Sequence, residues 1–102
     1  LNQTLKTKKM QNFKELPNNS LNGGIQYIAK YPNNYGASIV QHSFSYGKDR
    51  ELWELAVIKY EPNETNIHNF DLDYTTSITN DVMGYLTESE VNELLDEIEA
   101  LT

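Results

Sequence analysis

The chain has 102 residues, of which 38% are hydrophobic, with seven Tyr, three Phe and one Trp; that suits one domain with a single modest core and leaves too little for a second. It contains no cysteine, which excludes disulfides, thiolate nucleophiles and Cys-based zinc sites within this chain. A formal charge of −7 repels phosphate backbones, so direct nucleic-acid binding is not expected.

The charge is unevenly placed. Residues 1–60 carry all eight Lys and Arg against four acids (Glu15, Asp49, Glu51 and Glu54), whereas residues 61–102 carry eleven acids and no Lys or Arg. Met10 is a candidate first residue, which would place residues 1–9, with Lys6, Lys8 and Lys9, outside the native protein. No run approaches the roughly 20 apolar residues of a membrane span. Nor does an apolar segment follow the N-terminal lysines as a secretory signal requires. A cytoplasmic protein without membrane contact is the expectation.

In chain order, residues 1–24 are polar, rich in Asn and Lys, and punctuated by Pro17, Gly23 and Gly24, which reads as a flexible arm ending in a turn. Within it, "FKEL" (13–16) has the makings of one helical turn before Pro17. "IQYIAKY" (25–31) is rich in β-formers and "PNNYG" (32–36) supplies turn residues. "ASIVQHSFSY" (37–46) alternates as a half-buried strand, with Val40, His42, Phe44 and Tyr46 on one side. After "GKDR" (47–50), "ELWELAVIKY" (51–60) places Trp53, Leu55 and Val57 on one face and Leu52, Ala56, Ile58 and Tyr60 on the other. Apolar residues on both faces mark a central strand.

"EPNETNIHN" (61–69) is a polar loop, and "FDLDYTT" (70–76) alternates Phe70, Leu72 and Tyr74 against Asp71, Asp73 and Thr75, a strand with one wet, acidic face. "SITNDVMGYL" (77–86) reads as an extended stretch or single turn. Thr87 and Glu90 then form a capping box, and Val91, Leu94, Leu95, Ile98 and Leu101 make one apolar stripe on a helix whose other side carries Glu90, Glu93, Glu97 and, offset, Asp96. The expected fold is α+β: an antiparallel meander sheet of about four strands with one C-terminal amphipathic helix packed on it, residues 25–102 forming a single domain.

No pattern supports catalysis or a cofactor. His68, Asp71 and Asp73 have metal-ligand chemistry, but a polar loop and an alternating strand edge present the same residues to water. The D-x-D from Asp71 lacks the Gly and Glu a calcium loop needs, with Thr76 and Val82 in their places. His42 shares a strand face with Val40 and Phe44 and reads as a packed or edge histidine. Ser38, Ser43 and Ser45 have no elbow glycines or His-acid partners. Gly23-Gly24 lacks the flanking strand and helix of a phosphate loop.

Interaction surfaces stand out more. Seven Tyr are many for this length, and a rigid ring with a polar tip suits interfaces, although the same rings also cover sheet edges. The acidic C-terminal half reads either as a solubility face or as a surface that docks on a basic groove or imitates a nucleic-acid backbone.

The segments "ELPNNSLNGGIQYIAKYPNNYGASIVQHSFSYG", "LWELAVIKY" and "LDYTTSITNDVMGYLTESEVNELLDEIEAL" resemble, in overall texture, small uncharacterised accessory proteins of phages and prophages of Gram-positive bacteria. The resemblance covers about residues 10–102. It implies a small soluble protein of the host bacterial cytoplasm, with no catalytic residues to carry over, that binds a host protein.

The expectation is therefore a non-catalytic binding protein that engages a basic host-protein surface, as a nucleic-acid mimic or defence inhibitor, through Glu90, Glu93, Glu97, Asp71 and Asp73, with Tyr74 and Tyr85 as aromatic anchors. The alternative is a structural or assembly protein self-associating through a strand edge. A small enzyme ranks third.

Overall fold

A computed structural model describes residues 11–102. Its sheet is built around the strand Trp53–Lys59, which is apolar on both faces as the sequence predicts. In chain order the strands are β1 (Asn18–Leu21), β2 (Gly24–Lys30), β3 (Tyr35–Gln41), β4 (Trp53–Lys59), β5 (Asp71–Leu72) and β6 (Met83–Leu86), followed by the helix α1 (Glu88–Glu99). The order β1-β2-β3-β4-β5 is an antiparallel meander, and β6 joins it by pairing with β4. The fold is α+β, with six strands where about four were expected.

The two extra strands have weak sequence signals and strong structural ones. "NNSL" in β1 lacks β-formers, yet Asn22 (φ 48°) and Gly23 (φ 79°) turn the chain tightly enough to fix its register on β2, Leu21 opposite Gly24. "MGYL" in β6 contains Gly84, whose missing side chain leaves the space that Tyr46 occupies. The extended stretch foreseen before the helix is thus a paired strand, Trp53 opposite Leu86 and Leu55 opposite Met83. Consequently β5 and β6 share one edge of β4, each holding one end of it.

Two expected strands are shorter than their alternation implied. The strand over 37–46 ends at Gln41 because the chain turns: His42 N–H donates to Ser45 Oγ at 2.9 Å and Ser45 N–H to the His42 carbonyl at 3.1 Å. His42 stays on the Val40 side, but Phe44 and Tyr46 do not extend that strand, and Phe44 is 79% exposed. The strand over 70–76 is regular only at Asp71 and Leu72; Asp73 N–H still donates to the Val57 carbonyl at 2.9 Å, and beyond it the Asp73 carboxylate accepts from Thr75 N–H and Oγ–H in a local turn that ends the ladder.

α1 packs on one face of the sheet. Its buried Val91, Leu95 and Ile98 meet Ala37 and Ile39 of β3 and Trp53, Leu55 and Val57 of β4 in the main core, with Leu94 and Leu101 packed beside them. The predicted stripe is thus the buried face. On the opposite sheet face a smaller cluster of Ile28, Ile58 and Tyr60 is covered by Ile67 and Phe70 from the 61–70 loop. No helix among the described residues is long and apolar enough to cross a membrane.

The arm expected over 1–24 needs correcting over its described part; residues 1–10 lie outside it. Residues 13–15 form the helical turn foreseen from "FKEL", as a single 3₁₀ turn. Its Phe13 is fully buried, edge-on to Trp53 (4.9 Å between ring centroids) and Tyr27 (5.3 Å). Phe13 N–H donates to the Asn92 side chain at 2.9 Å. One large aromatic in a polar segment carried no periodic signal, so its burial was not visible in sequence; the domain begins no later than Gln11.

Candidate interaction surfaces

The seven candidate residues fall on four separate surfaces. Glu90, Glu93 and Glu97 lie on the exposed side of α1. The Thr87 cap sets where that helix starts: its hydroxyl accepts from Glu90 N–H at 3.2 Å, and the Glu90 carboxylate accepts from Thr87 N–H at 2.8 Å. Glu90 is therefore occupied in the capping box. Other acids of the helix hold the N-terminal segment. Glu88 pairs with Lys14 at 2.6 Å, and Gln11 donates to Asp96 at 2.8 Å and to Glu99 at 3.1 Å. Gln11 in turn accepts from the Tyr31 hydroxyl at 2.6 Å. Among the described residues Glu93 and Glu97 have no side-chain hydrogen bond or ion pair.

The carboxyl end of α1 has no basic residue in its last turn. A residue from another element satisfies it. Asn33, in the β2–β3 turn, donates its side-chain amide to the carbonyls of Ile98 (2.9 Å), Glu99 (3.1 Å) and Leu101 (3.0 Å). This bond set fixes the helix across the strands and offsets the unfavourable acids at its negative end.

Asp71 and Asp73 sit at the far end of β4, in a cleft of about 520 Å³ that they share with Tyr35, Lys59, Glu61 and Thr102. The Asp73 carboxyl is held below the usual carboxylate range, first by the Thr75 hydroxyl and N–H and then by the Lys59 ammonium. Lys59 lies 4.7 Å above the Tyr35 ring and donates to its hydroxyl at 3.4 Å. The cleft thus mixes carboxylates with a cation. Among the described residues no three His, Asp or Glu side chains gather as a metal site.

Tyr74 and Tyr85 belong elsewhere. Tyr85, at φ 58°, stands 6.1 Å from the Tyr46 ring and 5.0 Å from the Arg50 guanidinium. With Ser43, Ser45, Gly47 and Lys48 it borders a recess of about 310 Å³ whose surroundings are basic as well as acidic, since Lys48, Asp49 and Arg50 all line it. Among the described residues no side chain of α1 lines this recess. Tyr74 lies on the sheet face opposite α1, where it lines a trough of about 340 Å³ with Phe70 and Leu72, the side of the alternation predicted from "FDLDYTT".

That trough was missed in the sequence. Its floor is made by Gln26, Ser38 and Ala56, the residues of β2, β3 and β4 that alternate with the buried Ala37, Ile39, Leu55 and Val57. Small or polar residues on one face of strands whose other face is wholly apolar are the available signal. No family model, no curated protein and no solved structure matches this chain.

Proposed function

We propose that the chain is a non-catalytic binding protein that meets a basic partner surface through the outward side of α1. The observation that carries this reading is the exposure of Glu93 and Glu97, unpaired among the described residues, on a helix that contains no Lys or Arg. Carboxylates left free in this way steer a cationic partner and set its register. Asp71 and Asp73 lie apart, beside Lys59, and their cleft contributes to contact only at the carboxyl end of the helix, where Thr102 borders it. The resemblance to accessory proteins of Gram-positive phages and prophages is the basis for taking a host protein as the partner.

The test is retention of a partner from a bacterial host lysate at low and high salt, with the wild-type chain and with Glu93→Gln/Glu97→Gln as baits. A partner retained by the wild type at low salt and lost both at high salt and with the double variant supports the reading. A partner indifferent to salt and to both substitutions defeats it. Self-association through a strand edge is the second reading, favoured by β1, which among the described residues pairs only with β2. A sedimentation coefficient that rises with protein concentration would favour it.

A further inference from the structure

We infer that the trough on the sheet face opposite α1 is a second docking surface, shaped for an extended, apolar segment of a partner protein that carries one Lys or Arg. It is independent of the helix face and shares with it only the reading of the chain as a binding protein.

The shape comes from the strands. Trp53, Leu55 and Val57 spend the bulk of β4 on the α1 side, so Ala56 and Ser38 leave a low floor on the other. Leu21 and Val40 border that floor, as do Leu72, Tyr74 and Val82. Leu72 is 54% and Tyr74 36% exposed, and Phe44, 79% exposed, stands beside the lining residue His42 with 6.2 Å between ring centroids. Large apolar side chains concentrated in this way around a concave floor are the ordinary sign of a binding surface.

The trough runs across the sheet from Leu21 in β1 to Leu72 in β5. Four strand spacings of about 4.8 Å make about 19 Å, the span of about six extended residues. Along the floor Gln26 donates to Ser38 Oγ at 2.8 Å and Asn19 donates to Gln26 at 3.2 Å. These amides and the hydroxyl are the polar groups that the backbone of an extended segment needs when it leaves water.

Charge identifies the occupant. Among the described residues Glu54 is the one Asp, Glu, Lys or Arg lining the trough; its carboxylate accepts from Tyr46 N–H at 3.0 Å, which fixes it in place. A basic residue flanked by apolar ones therefore complements the site. A second copy of the chain is a poorer match, since each copy carries −7 and no described Lys or Arg lines the trough to receive the other's acids.

The experiment uses the full chain and three fluorescein-labelled peptides of about eight residues, with Leu and Phe at alternate positions and a central Lys, Gln or Glu. Fluorescence polarisation should show the Lys peptide binding about tenfold more tightly than the Glu peptide. Glu54→Gln should bring the three within about twofold, while Leu72→Ser and Tyr74→Ser, at exposed positions, should weaken every peptide by about tenfold. Glu93→Gln/Glu97→Gln should leave peptide binding unchanged, which separates this test from that of the helix face.

Three results would overturn the inference. One is equal binding of the three peptides, or binding by none. Another is loss of binding in the helix double variant as large as in Glu54→Gln, which would reduce the effect to overall charge. The third is a concentration-dependent dimer abolished by Leu72→Ser, which would make the occupant a second copy.

Discussion

Single residues decide more here than their neighbours in sequence imply. Phe13 is the clearest case: fully buried, edge-on to Tyr27 and Trp53, and tied to α1 through its N–H. Phe13→Ala should cost about 3–5 kcal/mol, the usual loss for a large aromatic removed from a core, read by urea unfolding with Trp53 fluorescence as the signal. If Phe13 merely covered the surface, the loss would stay below about 1 kcal/mol. Tyr60 offers a test through pH. Its hydroxyl donates to the Ile67 carbonyl at 2.6 Å, and burial pushes its pKa up to about 12; burial raises that of Tyr31 as well, with Glu99 adding to the shift. A phenol whose folded pKa is raised contributes stability that is intact below its unfolded value of about 10 and is lost as pH rises toward the folded one. Stability set by these two groups should thus be level from neutrality to about pH 9.5 and fall between about pH 10 and 12. Tyr60→Phe should lose about 1 kcal/mol at neutral pH, for the hydrogen bond, and then fall less steeply in that alkaline window, as thermal melts across the range would show.

The elements were legible in proportion to how local their causes are. α1 was readable almost residue by residue, because a capping box and an apolar stripe are written within one stretch of chain. β4 was readable too, since both of its faces are apolar. The strands β1 and β6 were not, because pairing with β2 and β4 creates them and their own side chains do not. The ends of β3 and β5 were misplaced for the reverse reason: alternation runs on past Gln41 and Leu72 while hydrogen bonds at Ser45 and Thr75 turn the backbone away. The far cap of α1 was also hidden, as Asn33 lies 65 residues from Ile98 in sequence. The two caps give a paired prediction. Thr87→Ala should cost about 1 kcal/mol, and Asn33→Ala about 1–2 kcal/mol by freeing carbonyls at the other end. The caps are separated by a helix of 12 residues, about 18 Å long, so the two losses should add within about 0.5 kcal/mol in the double variant. A shortfall in that sum would mean that the turn carrying Asn33 rearranges when the helix frays.

At the scale of the whole molecule the division of charge has a physical consequence that does not depend on any partner. The acids of the candidate site were legible as a class, from the eleven carboxylates after residue 60, but not in their employment. Glu88, Asp96 and Glu99 hold the Lys14 and Gln11 segment against the helix, which only the folded chain reveals. With a single ion pair among the described residues, partly exposed on both sides, salt has little attraction to screen and considerable repulsion between like charges to relieve. An exposed pair of this kind contributes at most about 1 kcal/mol, and at 1 M ionic strength the screening length falls to about 3 Å. Raising sodium chloride from 0.05 to about 0.5 M should therefore raise the thermal midpoint of the folded chain by a few degrees. Glu93→Gln/Glu97→Gln should raise it in low salt and shrink the salt effect, because both side chains repel their neighbours along α1 without a compensating partner. A midpoint that falls with salt would show that attraction dominates, and that the apparently free carboxylates are paired within the chain and not held open for a partner.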